Sequence, residues 1–398
     1  MIKPTQMVAR LKSADWLVRE ETQTVLALLG GAEGKTRAVG GIVRDTILGR
    51  DLSAADLDFA TVLMPHEVVL RAERAGVSVH PTGIEHGTVT LRLGTWVAEV
   101  TTLREDIDTD GRRAVVRFGS DWSVDAARRD FTLNALFADM DGTLFDPLGG
   151  LDDCLAGRVK FIGDPAQRIE EDRLRVYRFF RFTASHGGEK LDPVGLLACR
   201  AAADDLGALS AERVGSEFRR MLGLPRVAGT LRAMVDAGIL ALSAETVRLL
   251  LGYERRVRRP DVSARLAIII AEAGAGQLKS LWRLSNDEVA VAEAILTVAG
   301  LLRDYRLNEA AYRHPAALAD GVDVAAVLAD WTEAGRSAVL DQLQALAVPM
   351  FPVRGGDLIK LGMRPGKALG AELDRLEQVW IESGFALERD DLLELAKG

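Results

Sequence analysis

The chain has 398 residues, 48% hydrophobic and 27% charged, with a formal net charge of -8 at pH 7. That length exceeds what one compact core sustains, so several domains are expected, and the composition excludes the disordered class. The negative balance excludes a protein that coats nucleic acid indiscriminately, so a nucleic-acid partner would need a local basic surface.

In chain order, an Ala/Leu-rich helix is predicted over residues 14–29, a short strand over 36–39, a helix over 42–48 and a strand over 57–63. A helix with Pro65 in its first turn follows over 65–75, then strand-like runs at 87–93 and 96–102. Residues 133–140 and 143–145 flank Asp141-Gly142, a favoured hairpin turn. Gly149, Gly150, Asp152, Asp153 and Gly157 read as a connector. From about Asp164 the composition shifts to Ala, Leu, Arg and Glu with helical periodicity, interrupted by the Pro/Gly-rich residues 348–370. The expected fold class is α+β, a mixed sheet with helices followed by an all-α region.

No run reaches the ~18 apolar residues of a membrane helix, and the N-terminus lacks a signal-peptide core, so a cytoplasmic protein without a membrane partner is expected. Cys154 and Cys199 form no CxxC, and the five histidines have no ligand spacing. A metal would have to be held by oxygen.

Gly40-Gly41-Ile42-Val43-Arg44-Asp45 follows the first strand and opens a helix, where backbone N–H groups and the helix N-terminus can meet a triphosphate, with Arg44 adding a cationic fork. Such a turn is structural in most proteins, and only its neighbours in the chain give it a chemical meaning. Asp56-Leu57-Asp58 opens a strand whose period of two sends both carboxylates to one face. Like charges that close repel unless a cation neutralises them, and hard oxygen ligands suit Mg2+.

The run GGIVRDTILGRDLSAADLDFAT resembles the signature of class II tRNA nucleotidyltransferases (CCA-adding enzymes) and bacterial poly(A) polymerases, members of the polymerase-β-like superfamily. Four later segments extend the resemblance. Arg128-Arg129-Asp130-Phe131-Thr132-Leu133-Asn134-Ala135-Leu136 resembles the family's RRDFTxNAL, associated with ribose and phosphate. Asp146-Pro147-Leu148-Gly149-Gly150 resembles its linker motif. Glu171-Asp172-Arg173-Leu174-Arg175 resembles the nucleobase-reading EDxxR. Ser210-Ala211-Glu212-Arg213 with Glu217-Phe218 resembles the later helical motif. Past about Met221 the match weakens.

The resemblance implies a polymerase-β-like nucleotidyltransferase head at 1–155, a helical nucleobase-reading neck at 156–225, a helical body at 226–330 and a tRNA-binding helical tail at 331–398. It implies Mg2+ on Asp56 and Asp58, with Gly41, Arg44, Arg129, Asp172, Arg175, Arg178 and Arg181 on the nucleotide. Asp172, Arg175, Arg178 and Arg181 are spaced by three, which on one helix makes a charged wall, crowded by Leu174, Val176, Tyr177, Phe179, Phe180 and Phe182. A carboxylate acceptor beside a guanidinium donor matches cytosine and adenine, while uracil and guanine present the opposite order.

Between residue 102 and Arg128, Leu103-Arg104-Glu105-Asp106 and Thr109-Asp110-Gly111-Arg112-Arg113 read as a charged exposed loop. In CCA-adding relatives a DGR-like element there helps remodel the pocket from C to A addition. Glu99 is a third candidate acid near the metal. In the tail, Lys360, Arg364 and Lys367 surround a Gly/Pro turn as candidate RNA contacts. The expected activity is CCA addition to tRNA from CTP and ATP, with no obligate protein partner. A poly(A) polymerase shares the motifs, and a non-catalytic RNA-binding protein is the reading from another class. No His-Asp dyad suggests the phosphohydrolase activity of some relatives.

Overall fold

The computed structural model describes residues 4–52, 56–109 and 114–396. The chain forms two compact units, Met1–Arg213 with Ala233–Leu240, and Val214–Arg232 with Ala241–Gly398.

The strands of the first unit are β1 (Thr36–Val39), β2 (Asp58–Thr61), β3 (Ser78–Gly83), β4 (Thr88–Leu93), β5 (Trp96–Thr102), β6 (Arg104–Thr109), β7 (Ala114–Phe118), β8 (Phe137–Ala138) and β9 (Leu144–Phe145). Seven of them form one mixed sheet in the spatial order β3-β4-β5-β2-β1-β8-β9, with only β2 and β5 parallel. β6 and β7 pair as a separate hairpin, where the charged composition predicts a loop. Asp110, Gly111, Arg112 and Arg113, which carry the DGR-like element, lie outside the described residues.

The sheet centre is apolar on the face that Val39, Ala60, Leu103, Ala126, Ala135, Phe137 and Ile162 share. The Asp141-Gly142 turn forms as expected, Gly142 at φ +78° and the Asp141 carboxylate accepting the Thr143 N–H at 2.8 Å. The flanking strands are shorter than expected because Thr132–Asn134 tightens into a 3-10 turn. The helix expected over 14–29 is broken at Arg19, which is extended (ψ 144°), into Asp15–Val18 and Glu20–Leu28. Gln23 Nε2 donates to the Leu17 carbonyl freed there, at 2.9 Å.

Past the sheet, the helices Pro165–Glu171 and Leu174–His186 join the same unit, and Phe131, Phe161, Phe179 and Phe182 interlock, with Phe131 4.9 Å from Phe161 and 5.5 Å from Phe182 between ring centres. Among the described residues every strand lies before residue 146, and the chain from Pro165 is helical.

The second unit is helical. Phe218 stacks on Trp282 with ring centres 4.3 Å apart. Arg265, fully buried, is paired with Glu254 at 2.5 Å and also donates to the carbonyls of Leu222, Leu224 and Pro225, which is how a buried guanidinium is tolerated. Leu358, Leu376, Trp380 and Leu392 make a separate small core at its C-terminal end.

Gly150 marks a close approach of two segments, since a Cβ there would stand 2.2 Å from the Thr132 carbonyl oxygen. Gly150→Ala must push backbone against backbone. Thermal unfolding should record a loss of about 1–3 kcal/mol, the ordinary cost of overpacking, and an unchanged midpoint would contradict this contact.

Candidate active site

β2 lies between β1 and β5, and the parallel register sets Asp58 opposite Glu99, which in turn pairs with Thr90 on β4. Residues level on adjacent strands project from the same face, so Asp58 and Glu99 are brought together. Asp56 precedes the strand and is exposed; between the two, the Leu57 carbonyl accepts the Glu99 N–H at 3.0 Å. Together with Leu57, Thr90, Val97 and Ala98, the three acids line a cleft of about 380 Å³.

Burial first, then the charges of Glu99 and Asp56, push the Asp58 carboxyl up to about 6, against the opposing pull of Arg129. That is an electrostatic demand for a cation. Among the described residues no three acids, histidines or cysteines stand close enough to form a complete cage. Magnesium needs none, since it takes one or two carboxylates and fills its shell with water and phosphate oxygens. The donor set is oxygen alone and suits a hard ion.

Gly40 stands at φ +75°, ψ -125°, a conformation for glycine only, and turns β1 into the helix Gly41–Leu48. No side chain caps this helix start, so its first N–H groups carry the positive end of the helix dipole. Arg129 Nη1 lies 3.9 Å from where a Gly40 Cβ would be, and its charge also reaches Asp58. It is thus near both the Gly40 turn and the carboxylates. Asp125, 1% exposed, holds it there: one carboxylate oxygen takes Arg129 Nη2 at 3.1 Å and the other takes Arg128 Nε at 2.8 Å.

Arg44 differs from the phosphate-facing fork expected of it. It is 6% exposed, its Nε and Nη2 donate to Asp45 at 2.9 and 2.7 Å, and its Nη1 donates to Asn134 Oδ1. Two acceptors draw it beneath the Gly41 turn, where its Nη2 is 3.7 Å from a Gly41 Cβ position. Asn134 Nδ2 donates in turn to Asp130 Oδ1 at 3.0 Å, and Arg178 Nε donates to Asp130 Oδ2 at 2.8 Å. Burial would raise the Asp130 carboxyl, but Arg178 and then the Asn134 hydrogen bond hold it below the usual carboxylate range.

The segment that carries Asp172 and Arg175 is not one helix. The chain breaks at Asp172 (φ -151°, ψ 103°), between Pro165–Glu171 and Leu174–His186, because the Asp172 carboxylate turns back to accept the Leu174 N–H at 3.1 Å. Its other oxygen pairs with Arg213 at 2.7 Å. Arg175 donates to Glu171 at 2.6 Å and to the Arg168 and Arg128 carbonyls. Arg213 and Glu171 thus orient the two side chains expected to read the base, Asp172 and Arg175. The apolar side of the second helix is as expected, Val176, Phe179 and Phe180 being fully buried and leaving Arg175, Arg178 and Arg181 on the other side. Arg181 lies 4.3 Å from the Phe182 ring centre.

Lys360, Arg364 and Lys367 are all exposed, around a turn between the helices Gly355–Lys360 and Lys367–Glu382 of the second unit. Sequence reasoning placed Asp130, Asn134, Glu171 and Arg213 within motifs but gave none of them an individual role, and it passed over Asp125 altogether. Asp125 carried a signal, since it sits three and four residues before the two arginines it holds.

A family model described as the Poly A polymerase head domain matches residues 36–160. The CCA tRNA nucleotidyltransferase 1, mitochondrial, of Danio rerio is 33% identical over 372 residues, covering 90% of this chain and 86% of its own. The CCA-adding enzyme of Limosilactobacillus fermentum is 32% identical, covering 95% and 96%. Among solved structures, the Bacillus stearothermophilus CCA-adding enzyme in complex with CTP superposes with a TM-score of 0.76 at 26% identity, covering 92% of this chain and 94% of its own.

The raised Asp58 carboxyl has a thermodynamic consequence. The folded chain holds this proton to higher pH than the unfolded chain does, so without metal the stability contributed at Asp58 falls as pH rises from 3.8 through about 6. A bound divalent cation stabilises the ionised form. Its stabilising shift in thermal unfolding should be larger at about pH 7.5 than at about pH 5, and Asp58→Asn should remove both the shift and its pH dependence. A cation effect that survives in the Asn variant would exclude Asp58 as a ligand.

Proposed function

The chain belongs to the CCA-adding tRNA nucleotidyltransferase family, and from that membership we propose that it adds C, C and A to the tRNA 3′ end from CTP and ATP, holding Mg2+ on Asp56 and Asp58. The observation that carries the residue assignment is the register of Asp58 with Glu99 beside Arg129 and the Gly40 turn. Glu99 is a third acid near the ion. The family uses a divalent metal, and magnesium is the ion its carboxylate and phosphate chemistry favours.

The reaction is attack of the RNA 3′-hydroxyl on the nucleotide α-phosphate, with the bond to pyrophosphate breaking in line. When bound, the metal supplies charge neutralisation on the phosphates and a lowered hydroxyl pKa. Gly41 and the helix start behind it receive the triphosphate through backbone N–H groups. Arg129, Arg178 and Arg181 contact phosphate and ribose, and Arg44 adds positive charge from beneath the turn. Catalysis by these residues is orientation and electrostatics with no covalent intermediate.

Asp172 and Arg175 read the base. Cytosine and adenine each offer an amino donor beside a ring-nitrogen acceptor, which a carboxylate beside a guanidinium satisfies. Uracil and guanine reverse that order and leave partly buried groups unpaired, which is a strong ground for rejection.

Residues 1–155 act as the catalytic head, 156–225 as the base-reading neck, 226–330 as the body and 331–398 as the tail, whose Lys360, Arg364 and Lys367 contact the tRNA backbone. A cytoplasmic site of action accords with two free, buried cysteines. Among the described residues no helix is long and apolar enough to cross a membrane.

A tRNA transcript ending before CCA, offered with Mg2+ and each labelled nucleotide, should receive two C and one A and then no more. Long ATP-only tails would identify a poly(A) polymerase instead. Asp56→Ala should lower addition on the order of a thousandfold, as loss of a main electrostatic stabiliser does, and a fully active variant would refute the metal assignment. Replacing Lys360 and Lys367 by Glu should raise KM for tRNA but not for CTP, and lower the salt slope of tRNA binding by about 1 for each phosphate left without its cation. An unchanged slope would remove the tail from the tRNA surface.

A further inference from the structure

His186 is the last residue of the helix Leu174–His186, and its side chain is only 8% exposed. Its Nε2 lies 2.9 Å from Asp45 Oδ1, and its Nδ1 lies 2.7 Å from Ser185 Oγ. The chemistry fixes the proton. Asp45 faces both the His186 ring and the Arg44 guanidinium, and although burial opposes it, their hydrogen bonds and charge hold its carboxyl below the usual range. An ionised Asp45 can only accept, so Nε2 carries the hydrogen, and burial pulls the ring down to about 4, so it is neutral near pH 7 and Nδ1 accepts from the Ser185 hydroxyl.

The ring is not needed to finish its own helix, because the Gly187 N–H already serves the Phe182 and Thr183 carbonyls. What it does instead is reach a different element. Asp45 is on Gly41–Leu48, the helix that opens at the phosphate turn, and it takes the Nε and Nη2 of Arg44 as a fork. Arg44 reaches Asn134, Asn134 reaches Asp130, and Asp130 receives Arg178, back on the helix that carries His186. The hydrogen bonds close a loop between two helices. Arg44 and Arg178 also lie over the two sides of this loop near one ring, 5.3 and 5.4 Å from the Phe182 centre. The backbone of Asn134 touches the turn itself, its carbonyl oxygen 3.7 Å from a Gly40 Cβ position.

We infer that His186 is a positioning residue for nucleotide binding: by donating to Asp45 it orients Arg44 and Asn134, and so sets the Gly40–Gly41 turn at a fixed spacing from Arg178. The inference rests on the proposed contacts of Gly41 and Arg178 with the nucleotide. Among the described residues, loss of the imidazole donor leaves Asp45 hydrogen-bonded to Arg44 and facing Arg50 through charge only, so that it can turn with Arg44. The helices themselves stay joined, because Arg50 Nη2 donates to the Ser185 carbonyl at 2.6 Å, so the variants are expected to fold.

The test is steady-state addition of CTP to a tRNA lacking CCA and of ATP to a tRNA ending in CC, with thermal unfolding recorded for each protein. His186→Leu should raise KM for both nucleotides about tenfold, the scale of losing a hydrogen bond to a charged group, with a smaller change in kcat. His186→Gln, whose Nε2 can still donate to Asp45, should bring KM back to within about twofold. In the double variant with Asp45→Asn the KM increases should combine to less than their product, because both changes break one interaction. Arg178→Ala provides the reference. If it raises KM while His186→Leu does not, or if Gln fails to restore what Leu loses, His186 is structural only and the inference falls. If Arg178→Ala leaves KM unmoved, the nucleotide contact itself is wrong and the inference falls with it.

Discussion

Two carboxylates level with one another on neighbouring parallel strands repel, and the candidate site of the first unit is built around that pair. Asp58 and Glu99 are level because β2 and β5 pair in parallel at the sheet centre, and Asp56 adds a third charge at the strand entrance. Burial and that repulsion raise the Asp58 carboxyl, and a cation placed among the acids would relieve the repulsion. The remedy built into the chain is partial: Arg129 is close enough to ease Asp58 but is tied to Asp125 and does not pair with it. A full salt bridge would neutralise Asp58 and leave it unable to serve as the proposed metal ligand.

The same logic runs through the arginines. Asp125 holds Arg128 and Arg129, Glu171 holds Arg168 and Arg175, Asp130 holds Arg178, Asp45 holds Arg44 and Asp172 holds Arg213. Each acid fixes a guanidinium in one orientation before any nucleotide arrives, and the arginines still outnumber the acids that hold them. Held in this way, the guanidiniums present fixed positive charge locally within a chain of net charge -8. Preorganisation of this kind reduces the ordering cost of binding.

Much of this was legible in the sequence because the motifs are contiguous. The Gly40-Gly41 turn, the period-two carboxylates and the phenylalanine-rich face of residues 174–186 are local patterns, and local patterns survive translation into structure. What sequence did not reveal is who pairs with whom. Arg44 reads as a phosphate fork until its burial between Asp45 and Asn134 is seen, ninety residues apart in the chain for the latter. Asp172 reads as helical because its neighbours are, yet its side chain competes for the Leu174 N–H and breaks the helix there. The hairpin β6–β7 was hidden by its charged composition. Glu99 was ambiguous on strand pattern alone, and only the register with β2 brought it to Asp58.

The break at Asp172 also bears on the proposed reading of the base by Asp172 and Arg175. On a continuous helix, Asp172 and Arg175 would be adjacent and free to pair with each other, which would cancel the edge they are meant to present. With the chain broken, Asp172 is turned toward Arg213 and Arg175 toward Glu171, so the acid and the base are kept apart by better partners. Side chains at 25% and 13% exposure are desolvated enough for a mismatched hydrogen bond to be costly and open enough to be reached. In the proposed reading each of the two base contacts is held by another residue, and the departure from helical geometry at Asp172 keeps them apart.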